Sequence, residues 1–311
     1  MNHLLKESKY LLKNGLLINN ITKNNSLTTD TINLLSNIKL IVSDLDGTFL
    51  NSSGELSKAN KNISKLLSKH NIKFSLASGR SDLMCQSFIK DCNITIPTIS
   101  SNGALIRNIY DETIIHKTTI NPSTAIDIMD FCHSHSLDYM SYNLDQIFFT
   151  KKSLRIEKFK IYNEIAKLNN TPEIKLNFYN NNHNIIAKNG VLKILLFTKS
   201  EDELNMTIEF LNKFPEISFI LSEKNALDIS CAGTSKGEAL KLLCSYLNIP
   251  LENTCVFGDY TNDISMMKLA GVSFAMLDSP QIVQKSATFL TDSNDNSGVA
   301  RAIEFILNKF Y

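Results

Sequence analysis

The chain has 311 residues, 43% hydrophobic and 20% charged, the balance of an ordinary water-soluble protein with one large domain or two smaller ones. Its 32 basic and 31 acidic side chains leave a formal charge of +1, so no global field draws it to nucleic acid or to an anionic membrane. No stretch reaches the roughly 18 uninterrupted apolar residues of a membrane-spanning helix, so the protein is expected to be soluble, and its expected setting is cytoplasmic.

Residues 1–37 differ from the rest of the chain. Leu4, Leu5, Leu11, Leu12 and Leu16 fall on one face of a possible helix. Lys6, Lys9 and Lys13 break up the apolar core that a secretory signal needs, and the segment lacks the arginine of an organellar presequence. It reads as an extension packed on the folded core or trailing from it. The run Ile38-Lys39-Leu40-Ile41-Val42-Ser43 is apolar and β-branched, and stops at the turn-rich Asp44-Leu45-Asp46-Gly47-Thr48. That pattern predicts a buried strand feeding a loop. An amphipathic stretch with Ile63, Leu66 and Leu67 on one face comes next, closed by Asn71, which tolerates the left-handed conformation that ends helices. Residues 72–77 predict a strand running into Ser78-Gly79-Arg80, residues 81–91 a helix, and residues 95–100 a third strand. This alternation predicts a parallel sheet with helical crossovers.

After Asn102-Gly103 the pattern changes. Residues 104–107 and 113–117 read as a hairpin, 123–135 as a helix and 191–198 as a strand. The first rhythm resumes at Asp228-Ile229-Ser230, with a helix over 236–247 and a strand over 254–257. The expected architecture is therefore α/β: a Rossmann-like, doubly wound parallel-sheet core from 38–120 and 223–311, with an inserted α/β domain at 121–222. The six cysteines (Cys85, Cys92, Cys132, Cys231, Cys244, Cys255) form no CxxC pair and are expected as buried thiols. His133 and His135 have no metal-binding partner in the sequence and read as surface residues.

Four polar clusters stand at strand ends or helix entries, where open parallel sheets hold their ligands. Asp44 and Asp46, at i and i+2 in a loop, can turn toward one point, and Gly47 permits the tight turn. Gly258-Asp259-Tyr260-Thr261-Asn262-Asp263 stands after the last of these strands. If the two strands are neighbours, Asp44, Asp46, Asp259 and Asp263 converge. Such carboxylates repel one another unless a cation sits among them, and oxygen-only ligands suit Mg²⁺. Ser78 and the amides around Gly79 can donate to an anion, and Lys236 opens a helix with a compact positive charge. Metal, lysine, hydroxyl and amides around one carboxylate meet the needs of phosphoryl transfer.

These motifs resemble those of the haloacid dehalogenase superfamily, in particular its Cof-like sugar-phosphatase branch with a cap of the C2B type. The resemblance spans residues 38–311. The DxDGT motif is Asp44-Leu45-Asp46-Gly47-Thr48, the S/T-G-R motif Ser78-Gly79-Arg80, the lysine motif Lys236-Gly237, and the GDxxNDxxM motif runs from Gly258 to Met266. The resemblance implies that Asp44 is the nucleophile and Asp46 the acid and base. It implies that Leu45, Thr48, Ser78, Gly79, Lys236 and Asn262 hold the phosphoryl group. It implies Mg²⁺ at Asp44, the Asp46 carbonyl, Asp259 and Asp263. The Gly-Asn-Ala run common after the acidic motif is replaced here by Met276-Leu277-Asp278-Ser279, which leaves contacts from that loop open. Alone, the first cluster could be a solvated turn or a calcium loop; the lysine and second acidic cluster in their places argue against that. The segment Gly233-Thr234-Ser235-Lys236-Gly237 lacks P-loop spacing. Arg80 reads equally as a helix-start residue and a ligand, and Asn102 first as a turn residue. The function expected is an Mg²⁺-dependent phosphatase of small phosphorylated metabolites, sugar phosphates above all. A phosphomutase of the same fold and a non-catalytic metabolite-binding protein are the alternatives.

Overall fold

The structure is a computed structural model that describes residues 17–18, 29–153, 155–223 and 225–311. The leucine stripe over residues 4–16 lies outside the described residues. Strand β1 (Leu17–Ile18) and helix α1 (Thr29–Ser36) precede β2 (Leu40–Ser43), whose four residues are all buried. Helix α2 (Lys58–Leu67) starts at Ser57, whose hydroxyl accepts the Asn60 N–H, and buries Ile63 and Leu67. The chain turns at Asn71, which takes the left-handed conformation at φ 57°, and enters β3 (Lys73–Leu76) and α3 (Asp82–Asp91). Strands β4 (Thr98–Ser100), β5 (Leu105–Arg107) and β6 (Ile114–Lys117) come after it. The middle of the chain supplies α4 (Pro122–Ser134), β7 (Asp138–Tyr142), β8 (Gln146–Phe149), α5 (Ile156–Leu168), β9 (Lys175–Phe178), α6 (His183–Lys188), β10 (Lys193–Phe197), α7 (Glu201–Leu211), β11 (Ile217–Glu223) and β12 (Ala226–Cys231). The last third adds α8 (Lys236–Leu247), β13 (Thr254–Gly258), α9 (Ile264–Met267), β14 (Val272–Met276), α10 (Gln281–Gln284), β15 (Phe289–Thr291) and α11 (Gly298–Phe310).

The first sheet has the order β1-β15-β14-β13-β2-β3. Its pairings are parallel except for β1, which lies antiparallel on β15. Both faces are covered. Ile41, Phe74, Leu76, Cys255 and Phe257 pack into one apolar cluster with residues of α2, α3 and α11, and Leu35 of α1 is buried in it. Leu40, Val42, Val256 and Ala275 pack on the other side with Leu240 and Leu243 of α8. A sheet buried on both faces needs continuous apolar strands, which is why β2 and β13 read as short unbroken apolar runs. All six cysteines are free.

Two expectations about chain order change. Residues 95–100 do not add a strand to the parallel sheet. Strand β4 pairs with β5 in a three-stranded antiparallel sheet, and an isolated parallel bridge between Ala77 and Ile99 joins it to the end of β3. Nor does Asp228-Ile229-Ser230 rejoin the first sheet. Strand β12 pairs antiparallel with β10 and β11 in a second sheet of order β11-β12-β10-β7-β8-β9. The physical reason is visible in its alternation. Leu227 and Ile229 pack under the second sheet, whereas Asp228 faces the other side. The strand is buried on both faces, but one face is apolar and the other carries Asp228 and Ser230, unlike the unbroken apolar runs of β2 and β13. The second sheet thus presents Met140, Tyr142, Lys193, Leu195, Phe197 and Asp228 toward the carboxyl ends of β2 and β13 and caps them.

Candidate active site

The loop after β2 is shaped by backbone bonds. The Asp44 N–H donates to the Phe257 carbonyl at 2.9 Å, tying the loop to β13, and the Leu50 N–H donates to the Leu45 carbonyl at 2.8 Å, closing a wide turn. Gly47 stands at φ +75°, and a Cβ there would collide with the Asp259 carboxylate. Only glycine meets both demands. Leu45 and Thr48 are buried, and the Thr48 hydroxyl donates to Asp259 Oδ1 at 2.8 Å. Thr48, expected among the phosphate ligands, therefore orients Asp259 in this arrangement.

Strands β2 and β13 are parallel neighbours, and the acids at their ends meet. One oxygen each from Asp44, Asp259 and Asp263 lies within 4.8 Å of the others. The Asp46 carboxylate is not in that group; its expected metal contact is through the backbone carbonyl. Lys236, the first residue of α8, is fully buried and donates to Asp44 Oδ1 at 2.5 Å and to Asp263 Oδ1 at 2.6 Å. The other Asp263 oxygen accepts the N–H groups of Asp259 and Tyr260 at 2.9 and 3.0 Å. Asp263 is thus engaged on both oxygens, which makes it the rivet of the cluster.

The electrostatics are unbalanced. Burial pushes Asp44 well above the usual carboxylate range; Lys236 opposes this, and Asp263 and Asp259 add to it. Burial, then Asp263, pushes Asp259 up to about 6 against the Thr48 hydrogen bond and Lys236. Asp278, from the loop that departs from the family pattern, adds a further repulsion there. Burial disfavours the Lys236 ammonium, but Asp263 and Asp44 outweigh it and hold the proton on. Three gathered carboxylates beside one lysine have room and charge for a hard divalent cation.

On the far side of the loop Asp46 meets Arg80. The guanidinium donates from Nε to Asp46 Oδ2 at 2.7 Å and from its terminal nitrogen to Oδ1. Partial burial would raise the Asp46 carboxyl, but the hydrogen bonds and charge of Arg80 outweigh it and hold it below its ordinary range. Arg80 also lies over the rings of Tyr162 and Phe88, at 5.3 and 5.6 Å from their centroids. Ser78 is buried, and its hydroxyl accepts the Arg80 N–H at 3.1 Å. Asn102 is a turn residue at φ 56° and more than that. Its side chain accepts from Asn262 at 3.0 Å and donates to Asp228 at 3.1 Å.

These groups open on a cavity of about 450 Å³, within the size range of small-molecule sites. Asp44, Asp46, Gly79, Asn102, Asp259 and Asn262 line its floor, and Lys236 and Asp263 stand behind Asp44. The second sheet supplies the roof, with Tyr142, Lys193, Phe197 and Asp228. Sequence reasoning did not single out Lys193 or Asp228. The signal was a charge in mid-strand: Lys193 within Leu192-Lys193-Ile194-Leu195 and Asp228 within Leu227-Asp228-Ile229.

Known proteins share this sequence pattern and fold. A family model of haloacid dehalogenase-like hydrolases matches residues 41–303. Phosphatase YwpJ of Bacillus subtilis (strain 168) is 27% identical over 286 residues, spanning 87% of this chain and 100% of that protein. The crystal structure of a haloacid dehalogenase-like hydrolase from Bacteroides thetaiotaomicron matches with a TM-score of 0.74 at 26% identity, over 86% of this chain and 99% of that one. The fold is also that of BT4131, a sugar phosphatase of subclass IIB, with a TM-score of 0.71 at 21% identity over 86% of this chain and 98% of that one. By that match over residues 41–303 and its phosphatase relatives, the chain belongs to the haloacid dehalogenase-like hydrolases, as a phosphatase of that family.

Proposed function

We propose that the protein hydrolyses small phosphorylated polyols, sugar phosphates above all, by an Mg²⁺-dependent route through an aspartyl-phosphate on Asp44. The observation that carries this reading is Asp44 itself: a buried carboxylate 2.5 Å from a buried lysine, at the floor of a cavity roofed by a second sheet. Asp44 attacks phosphorus while the bond to the leaving oxygen breaks, and Asp46 gives that oxygen its proton. Water then attacks the aspartyl-phosphate, Asp46 takes a proton from it, and inorganic phosphate leaves with Asp44 restored. Asp44, the Asp46 carbonyl and Asp259 would hold Mg²⁺, with Asp263 behind them. The ion would supply positive charge that lets two anions approach. Lys236, Asn262 and the amides near Ser78 and Gly79 take the phosphoryl oxygens.

Asp46 needs a proton for the first step, and its pairing with Arg80 favours the carboxylate. An entering phosphate ester competes for Arg80 and loosens that pair, so the acid forms when substrate is present. The cavity walls favour a polyhydroxylated leaving group: Lys158 and Asn102 offer polar groups, and Tyr142 and Phe197 offer faces for C–H surfaces. The cavity suits small esters, not phosphoproteins or nucleic acids. Phosphate release from a panel of sugar phosphates, nucleotides and p-nitrophenyl phosphate, with Mg²⁺ or EDTA, tests the proposal. Release that needs Mg²⁺ and is fastest on sugar phosphates is the expected result. Phosphate retained on a rearranged product would make the protein a mutase. No turnover of any compound by the folded, Mg²⁺-loaded protein would sink the catalytic reading.

A further inference from the structure

We infer that Lys193 of the capping sheet, braced by Asp228, is a positioning residue for the phosphate-binding turn of the core, so that the phosphate site is complete only with the cap docked. The inference rests on the phosphatase reading of that turn and goes beyond it, because it gives the cap a part in holding phosphate and not only in choosing the leaving group.

Lys193 lies in β10 between apolar neighbours and is 4% exposed. An ammonium so placed must be satisfied by the protein. It donates to Asp228 Oδ2 at 2.6 Å and to the Gly79 carbonyl at 2.9 Å, and stands 4.8 Å from the centroid of the Tyr142 ring. The strand register explains the first contact. Lys193 pairs with Ser230 and Leu195 with Asp228, which makes Lys193 and Asp228 diagonal neighbours on one face of the sheet. Tyr142 is paired with Lys193 on its other side.

The contact with Gly79 crosses from the cap to the core. It fixes one end of the peptide unit between Gly79 and Arg80, whose other end, the Arg80 N–H, is held by the Ser78 hydroxyl at 3.1 Å. The Ser78 and Arg80 carbonyls accept from the backbone of Asn102 and Ser101 at 3.0 and 2.8 Å. The core therefore holds the N–H and carbonyl groups of Ser78 and Arg80 on either side, and the cap holds the Gly79 carbonyl between them. Asp228 extends the linkage: it accepts from Asn102 at 3.1 Å, and Asn102 accepts from Asn262 at 3.0 Å. One buried ion pair of the cap thus reaches both turns assigned to the phosphoryl group. A group that shapes those turns acts on phosphate binding whatever the leaving group is.

Lys193→Met keeps the stem against Tyr142 and removes the donor. Two measurements go together: kcat/KM on a panel that includes p-nitrophenyl phosphate, and calorimetric affinity for inorganic phosphate with Mg²⁺. The expected result is a fall in kcat/KM of about 10- to 100-fold, by the same factor on every ester, with phosphate affinity weakened about tenfold. Lys193→Arg should recover part of both. A loss on sugar phosphates with p-nitrophenyl phosphate untouched would overturn the inference and make Lys193 a leaving-group contact. Unchanged phosphate affinity and kcat with only a lower melting temperature would reduce the pair to a structural one. Asp228→Asn, which keeps shape and one acceptor, carries the same readouts at smaller size should Lys193→Met fail to fold. Absence of turnover in the wild type would defeat the phosphatase reading, while the calorimetric comparison would still decide the role of Lys193.

Discussion

Two clusters in this molecule gather one cation and three acids each, and they have opposite fates. Lys236 stands among Asp44, Asp263 and Asp259, beneath the floor of the cavity. Arg107, at the end of β5, meets Asp145 at 3.0 Å, Asp82 at 3.2 Å and Glu112 at 3.6 Å. Each cluster carries two negative charges beyond its cation. Around Arg107 most of the excess rests in water, since the side chains of Asp145 and Glu112 are 49% and 73% exposed, and only the buried Asp82 gains proton affinity. Around Lys236 both Asp44 and Asp263 are buried, and the imbalance appears as raised proton affinities of Asp44 and Asp259. Where the surplus charge goes separates a site that needs a ligand from an ion cluster that holds two parts of a chain together.

Asp44→Asn tests the first half of that contrast with the largest effect. Phosphate release should fall by at least about 10³-fold, as for loss of other enzymatic nucleophiles. The melting temperature of the metal-free protein should hold or rise, because one crowded charge has gone. A large loss of stability would mean that the carboxylate serves the fold and not the chemistry. Next in size is metal binding. Mg²⁺ should raise the melting temperature of the wild type, by the equivalent of about 2.7 kcal/mol at a hundred times its Kd, and EDTA should abolish activity. Asp259→Asn should lose most of that rise. A wild type indifferent to Mg²⁺ would leave the buried excess charge unexplained and break the comparison.

How much of this was legible depended on where each residue's partner lies. The Asp44 loop, Lys236 and the acidic turn announce themselves because a strand end followed by acids, glycine or a lysine-opened helix is a local pattern. Even the convergence of Asp44 with Asp259 needed only the pairing of β2 with β13. The roof was not legible. Lys193 and Asp228 acquire meaning only once β10 and β12 are neighbours, and the reading of residues 226–231 as part of the core hid that pairing. Arg80 stayed ambiguous for the same reason, its partner Asp46 being 34 positions away in sequence. Arg107 passed unnoticed because each of its acids comes from a different element.

Arg107→Met addresses the second cluster. It leaves the Asp82 side chain, 1% exposed, without its cation. Loss of one partner of a buried pair costs about 3–5 kcal/mol, read as a lower denaturant midpoint. The double variant with Asp82→Asn should regain much of that, since no uncompensated charge remains. Activity per folded molecule should stay near wild type, because the cluster lies outside the cavity that holds Asp44. A double variant no more stable than Arg107→Met would show that packing of the arginine stem matters more than the charge.

The smallest effect is in the pH dependence, and it is the sharpest probe of where the second cluster puts its surplus. Burial pushes Asp82 up to about 6, against the pull of Arg107 and the Leu83 N–H, and Asp145 adds to the rise. Since its unfolded value is about 3.9, the folded chain holds the extra proton between about pH 4 and 6. That contribution to stability is complete below the window and is lost as the pH climbs through it. Asp259 titrates in the same range, so the wild-type slope must be compared with that of Asp82→Asn. The variant should flatten the decline of melting temperature between about pH 4.5 and 6.5, by on the order of 2–4 °C. Equal slopes would mean that Asp82 stays ionised beside Arg107 throughout, with all of the surplus charge resting on Asp145 and Glu112 in water. The two clusters would then differ more completely than the buried position of Asp82 implies.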